Sequence, residues 1–238
     1  MILTVKKLSV TYGAKEAVDN ISFSIKPGEV IGLLGANGAG KSSTIAAVLG
    51  IEKSNYEELT MLGKSPIRHR KEVFQEVGVQ FQETNFQEGL SVREACEQWE
   101  SLYKQTADVP LLLQTFGLVG KETQLVKSLS GGERQRLAVL LALISNPKLV
   151  FLDELTTGLD TKARRLLWKQ LLIMKEKGLA IVLKSHYMDE VEALCDKILI
   201  LKEGKTIFHG TIQEVIHVSK KATLENAYLY FAGEEDWV

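Results

Sequence analysis

Two kinds of apolar spacing divide the chain. Residues 2–12 (ILTVKKLSVTY) and 18–26 (VDNISFSIK) alternate apolar with polar at period two, as half-exposed strands do. Pro27-Gly28 predicts a turn, and Val30–Leu34 is a short apolar strand that runs straight into a glycine-rich stretch. Residues 42–49 read as a helix ended by Gly50. From about 91 to 145 helical patterns dominate, in SVREACEQWESLYKQ, VPLLLQTFG and GERQRLAVLLALIS, and Asn146-Pro147 closes the last of them. Strand and helix then alternate. Residues 149–152 and 179–183 are apolar strands, 161–177 an amphipathic helix, 187–195 a helix, 197–201 a strand, and 206–209 a short strand after the turn at Glu203-Gly204-Lys205. Apolar strands separated by helices imply a parallel sheet buried on both faces. The expectation is an α/β core, an antiparallel β portion near the N-terminus and a helical insertion in the middle.

Composition narrows the class. Among 238 residues, 29 Lys+Arg against 30 Asp+Glu leave a formal net charge of −1, which argues against a chain whose main task is coating nucleic acid. The longest apolar run is residues 137–144, far short of the about 20 residues a membrane-spanning helix needs, so no direct insertion into a bilayer is expected. The start, MILTVKKLSV, places its basic pair after the apolar residues, which is not signal-peptide order. Ile2 gives no myristoylation signal and the final DWV no prenylation box. Cys96 and Cys195 stand far apart outside any CxxC, so they read as core thiols in a reducing compartment.

Three stretches carry chemistry. Residues 35–42, GANGAGKS, match G-x-x-x-x-G-K-[ST] between an apolar strand and a helix. Glycines let successive backbone N–H groups point inward at phosphate oxygens, and the helix start adds the positive end of its dipole. Lys41 then reaches the β- and γ-phosphates, and the Ser42 hydroxyl suits Mg²⁺. Residues 148–154, KLVFLDE, form a buried strand with Asp153 and Glu154 at its C-terminal end, where open α/β sheets bind ligands. Asp153 suits a Mg²⁺ position and Glu154 a general base for water. Residues 129–136, LSGGERQR, open an apolar helix, with Ser130 and Glu133 spaced as a capping box. A capped helix start with a hydroxyl and two glycines is also an anion site, which makes sense for a nucleotide held by another subunit.

LSGGERQR resembles the signature motif of the ABC ATPase family, and the family's other elements follow in order over about residues 2 to 210. GANGAGKSS resembles its Walker A and LVFLDE its Walker B. Gln82 matches the Q-loop glutamine that ligates Mg²⁺ and senses the membrane partner. Tyr12 matches the aromatic that stacks on adenine, Asp160 the D-loop and His186 the switch histidine at the γ-phosphate. The resemblance implies a P-loop NTPase fold with a RecA-like, mostly parallel core sheet, an N-terminal antiparallel β portion and an inserted α-helical subdomain. It implies one domain over residues 1–238, with about 84–145 as the helical subdomain and about 211–238 as a short tail. It also implies ATP and Mg²⁺ as ligands. Catalytic roles fall to Glu154, His186 and Gln82, and metal contacts to Ser42, Gln82 and Asp153. Nucleotide contacts fall to Tyr12, Gly35, Asn37, Gly38, Ala39, Gly40, Lys41, Ser42 and Ser43, with Ser130, Gly132 and Asp160 acting across an ATP-sandwich homodimer.

HYMDEVEALCDKI, GLSVREA and TLENAY look like the drug- and antibiotic-exporter branch. The expected setting is the cytoplasmic face of the cell membrane, as a peripheral subunit on a separate transmembrane permease, docked through residues 83–103. The alternative is a soluble single-domain ABC ATPase without a transport role, for example in cofactor assembly. Two departures from the family stand out. Leu155 occupies the place of a proline after the catalytic Glu, which predicts a looser D-loop and slower hydrolysis. Lys184 occupies the place of a small hydroxyl residue. His69, His209 and His217 read as structural, and residues 68–71 (RHRK) as a solvated helix start.

Overall fold

In the mixed six-stranded sheet at the centre of the molecule, apolar side chains alternate between two cores. The computed structural model describes residues 1–81 and 86–233. The central strands are β3 (Val30–Leu34), β5 (Val77–Gln80), β6 (Leu149–Asp153), β7 (Ala180–Lys184), β8 (Lys197–Lys202) and β9 (Lys205–Thr211), in the order β5-β6-β7-β3-β8-β9. All neighbours are parallel except the β8–β9 hairpin. Val150, Leu152, Ile181 and Leu183 face one core, and Leu149, Phe151, Ala180 and Val182 face the other. That is the period-two geometry of a strand, and it explains why these strands are apolar throughout.

The second core is closed by α1 (Lys41–Val48) and by a three-stranded antiparallel sheet, β2-β1-β4. Its strands are β1 (Leu3–Tyr12), β2 (Lys15–Ile25) and β4 (Glu58–Met61). β1 and β2 show the expected alternation, with Leu3, Val5, Leu8 and Val10 inward. The short α2 (Arg70–Val73) follows. Its Arg70 is tied down, against expectation: Nη1 donates to the Leu49 carbonyl at 2.7 Å and the guanidinium lies 4.6 Å from the Phe74 ring centre.

Helices cover the first core: α3 (Val92–Glu100), α4 (Val109–Thr115), α5 (Gly131–Leu143), α6 (Thr161–Glu176), α7 (Met188–Leu194), α8 (Ile212–Ser219) and α9 (Leu224–Ala232). Seven consecutive residues of α5, from Leu137 to Leu143, are buried, as befits a helix apolar on all sides. Phe86, Trp99 and Tyr103 pack onto this core, so these aromatics serve the helical region internally. Cys96 and Cys195 are buried free thiols, as expected.

Two short strands, β4 and β5, had no clear sequence signal. Four residues are too few to establish a period, and VGVQ carries a glycine; pairing with β1 and β6 makes them strands. The segment read as a tail contains α8 and α9. Val215, Leu224 and Ala227 are fully buried, and the Phe208 and Phe231 rings pack tilted at 46° with centres 5.1 Å apart. Thr211 and Glu214 form a capping box at the start of α8, a signal present in the sequence.

Gly78 marks where β5 meets α5. A Cβ there would lie 1.9 Å from the Ala142 carbonyl oxygen. Gly78→Ala should therefore lower unfolding stability by about 2 kcal/mol or more, measured as a drop in the urea midpoint at unchanged m.

Candidate functional site

The site is built at the C-terminal edge of the parallel strands. β3 ends at Leu34 and the chain turns through residues 35–40 into α1. Gly35 has φ +149°, and a Cβ there would meet the Leu201 carbonyl oxygen at 2.5 Å, so only glycine fits where the loop leaves the strand. Gly40 precedes α1 with φ +102°, and its Cβ would lie 2.6 Å from the Ala17 carbonyl oxygen. No side chain caps α1, which leaves the N–H groups of its first turn for a ligand.

A cavity of 500 Å³ opens in front of this helix start. Tyr12, Lys15, Asn37, Gly38, Gly40, Lys41, Ser42 and Ser43 line it on one side, and Glu154, Lys184 and His186 on the other. Tyr12 arrives from the β1–β2 hairpin, where it pairs with Lys15 across the turn at Gly13-Ala14, and stays half exposed at the mouth. Gly35 and Ala39 do not line the cavity and instead shape the loop against Leu201. Lys41 is buried, and its Nζ donates to the carbonyls of Gly35 at 2.5 Å and Ala36 at 2.9 Å. Burial, and after it the charge of Lys184, lowers the Lys41 pKa to about 8.

Across the cavity, Glu154 takes the left-handed conformation at φ 52°, uncommon for a residue with a side chain. Its N–H donates to the Lys184 carbonyl at 2.9 Å, and its own carbonyl accepts from Gln135 Nε2 at 3.3 Å. Gln135 also donates to the Leu155 carbonyl at 3.0 Å. The Leu155 side chain is fully buried, so the expected loosening meets a residue anchored at both side chain and carbonyl. His186 Nε2 lies 3.3 Å from Glu154 Oε1. Burial and the charge of Lys41 hold the imidazole below its ordinary pKa. That direction favours the neutral ring, the form in which an imidazole can both donate and accept.

Asp153 stands one residue before Glu154 and pairs with Lys184 across β6 and β7. Lys184 Nζ lies 2.9 Å from each carboxylate oxygen, and both side chains are largely buried, at 6% and 16% exposure. Burial pushes the Asp153 pKa up, with Lys184 pulling against it. Ser42, in the cavity lining, and Asp153, just outside it, offer the hard oxygen donors that Mg²⁺ takes, and the Asp153 oxygens are held by the Lys184 ammonium. These two residues fit the ion, with Lys184 standing beside them.

Other expected residues fall elsewhere. Ser130, Gly132 and Asp160 do not line the cavity. Ser130 and Asp160 are exposed and act as N-caps, Ser130 for α5 with Glu133 and Asp160 for α6 through Ala163 N–H at 2.8 Å. Gly132 sits against the turn before α6, where a Cβ would lie 3.1 Å from Leu159. Gln82 lies outside the described residues. Sequence reasoning missed Lys15, which the hairpin register could have given, and Gln80 and Gln135, which only the fold brings to the acidic strand.

A phosphate loop between a buried parallel strand and a helix, facing an acidic strand end across a cavity, defines a P-loop nucleotide-binding domain. The family model described as ABC transporter matches residues 18–157. The chain belongs to the ABC transporter family, as an ATP-binding domain. It is 36% identical over 215 residues to Nod factor export ATP-binding protein I of Paraburkholderia xenovorans, an alignment covering 88% of this chain and 71% of that protein. A solved ATP-binding subunit of an ABC transporter superimposes with a TM-score of 0.90 at 26% identity, covering 97% of this chain and 99% of the other. CbiO1 from Clostridium perfringens, part of the ABC transporter complex cbiONQ, does so at 0.78 and 28% identity, covering 91% and 90%.

Gln80 joins its strand to the acidic one, its Oε1 accepting from the Asp153 N–H at 3.1 Å. Gln80→Ala should leave that N–H unpaired and cost about 1–3 kcal/mol, read from urea unfolding.

Proposed function

We propose that the chain is the ATP-hydrolysing subunit of an exporter, working as a homodimer that holds two ATP molecules at its interface and drives a separate transmembrane permease. One observation carries this reading. The cavity gathers Lys41, Ser42, Glu154 and His186, while the exposed helix start at Ser130 stands outside it. One chain thus offers two complementary halves of a phosphate site, and a second copy completes each.

In this reading Tyr12 stacks on the adenine and the N–H groups at the start of α1 hold the phosphates, with Lys41 over the β- and γ-groups. Asn37, Gly38, Ser42 and Ser43 complete the near wall. Ser130 and Gly132 of the second copy close over the γ-phosphate, and Asp160 lies at the joint. Glu154 accepts the proton of the attacking water, and neutral His186 donates to the γ-phosphate. Mg²⁺, held by Ser42 and Asp153 and on family resemblance by Gln82, would neutralise charge on the phosphate oxygens. Phosphoryl transfer needs positioning and electrostatics more than covalent chemistry, which suits a site shared by two chains.

The export direction rests on the likeness to a protein named for Nod factor export. No helix among the described residues is long and apolar enough to cross a membrane, so the transmembrane path belongs to another chain in this reading. We place this chain on the cytoplasmic face, as one domain, with the permease contacting the groove of Arg93, Glu97, Val109, Leu113 and Val119 between α3 and α4.

Glu154→Gln with Mg-ATP should cut hydrolysis by about 100-fold or more while ATP still binds, and should accumulate dimer on gel filtration. Hydrolysis at the full rate, or a monomer at saturating ATP, would sink this reading.

A further inference from the structure

The mechanism above leaves Lys184 without a task, yet it is a buried, paired charge that lines the cavity. It ends β7, and β7 lies between β3 and β6 in the sheet. Its register places it beside Leu33 on one side and Asp153 on the other, so the backbone sets this ammonium between the phosphate loop and the acidic strand end. The residue is 5% exposed, lines the cavity, and keeps Nζ 2.9 Å from both oxygens of Asp153. A lysine on a free surface would extend into water; this one holds a charge where a divalent ion would neutralise the same carboxylate and the same phosphates.

We propose that Lys184 is a tethered cation of the nucleotide site, supplying from the protein part of the charge that a divalent ion supplies, so that this chain binds nucleoside triphosphate with little dependence on Mg²⁺. The inference rests on the nucleotide-binding reading of the cavity. The geometry carries two consequences. With the carboxylate already paired, removing Mg²⁺ does not leave Asp153 facing the phosphates as a bare negative charge. And Mg²⁺ without nucleotide gains little at Asp153, because it must displace an ammonium that contacts both oxygens.

The test is equilibrium titration with a fluorescent ATP analogue, in excess Mg²⁺ and in EDTA at matched ionic strength, on the full chain and on Lys184→Ser. The unaltered chain should lose less than about threefold in affinity in EDTA, and Lys184→Ser about tenfold or more. Thermal unfolding without nucleotide gives a second readout. MgCl₂ should raise the midpoint of Lys184→Ser, where it pairs with the vacated carboxylate, and leave that of the unaltered chain in place. Lys184→Gln serves if the serine variant does not fold, and Lys184→Arg should keep the EDTA affinity of the unaltered chain. A tenfold loss for the unaltered chain in EDTA overturns the proposal without any variant, as does equal Mg²⁺ dependence with and without Lys184. Failure to bind the analogue under every condition would instead overturn the nucleotide reading beneath it.

Discussion

β7 separates β3 from β6, and the width of that one strand sets the geometry of the site. The phosphate loop leaves β3 and the acidic pair ends β6, so the two backbones stand two inter-strand steps apart, about 10 Å, and side chains reach across that distance. The cavity lies across that spacing, lined by residues from both sides. The residue that ends β7 necessarily stands in it, and here that residue is a lysine in contact with Asp153. Backbone pairing extends the same control one residue further, because the Glu154 N–H is held by the Lys184 carbonyl. Two hydrogen-bond ladders thus place base, acid and cation together.

The electrostatics follow from that crowding. Lys41 and Lys184 face one cavity, and their repulsion adds to burial in disfavouring the charge on Lys41. The loop carbonyls of Gly35 and Ala36 and the carboxylate of Asp153 hold these ammoniums. A buried pair of this kind contributes little net stability, but removing one partner costs about 3–5 kcal/mol. The strain of a left-handed Glu154 is held in the same way, by Gln135 from α5 and by β7. The backbone of the residue that would meet water is therefore anchored from two directions, at its N–H and at its carbonyl.

Most of the fold and the near half of the site were legible in the sequence, because their signals are local. The loop GANGAGKS needs only its flanking strand and helix, and the capping box of Ser130 and Glu133 is four residues long. The apolar run at 137–144 forecast a buried helix, and α5 is one. What stayed hidden depends on pairing between distant segments. β4 and β5 become strands through β1 and β6, Gln80 matters only because β5 lies beside β6, and Lys184 read as a mere departure from a small hydroxyl residue until its register put it opposite Asp153. A period can show that a strand is buried on both faces; it does not say which strands are its neighbours.

The strand order has a consequence for how the molecule is made. A chain emerging from the ribosome exposes the phosphate loop and the acidic strand first, and the strand that belongs between them some thirty residues later. Until β7 inserts, β3 and β6 each present an unpaired apolar edge, the kind of surface that recruits other chains. The nucleotide site is thus completed only when β7 has been made, and a nascent chain long enough to contain both phosphate-site motifs is still unable to join them.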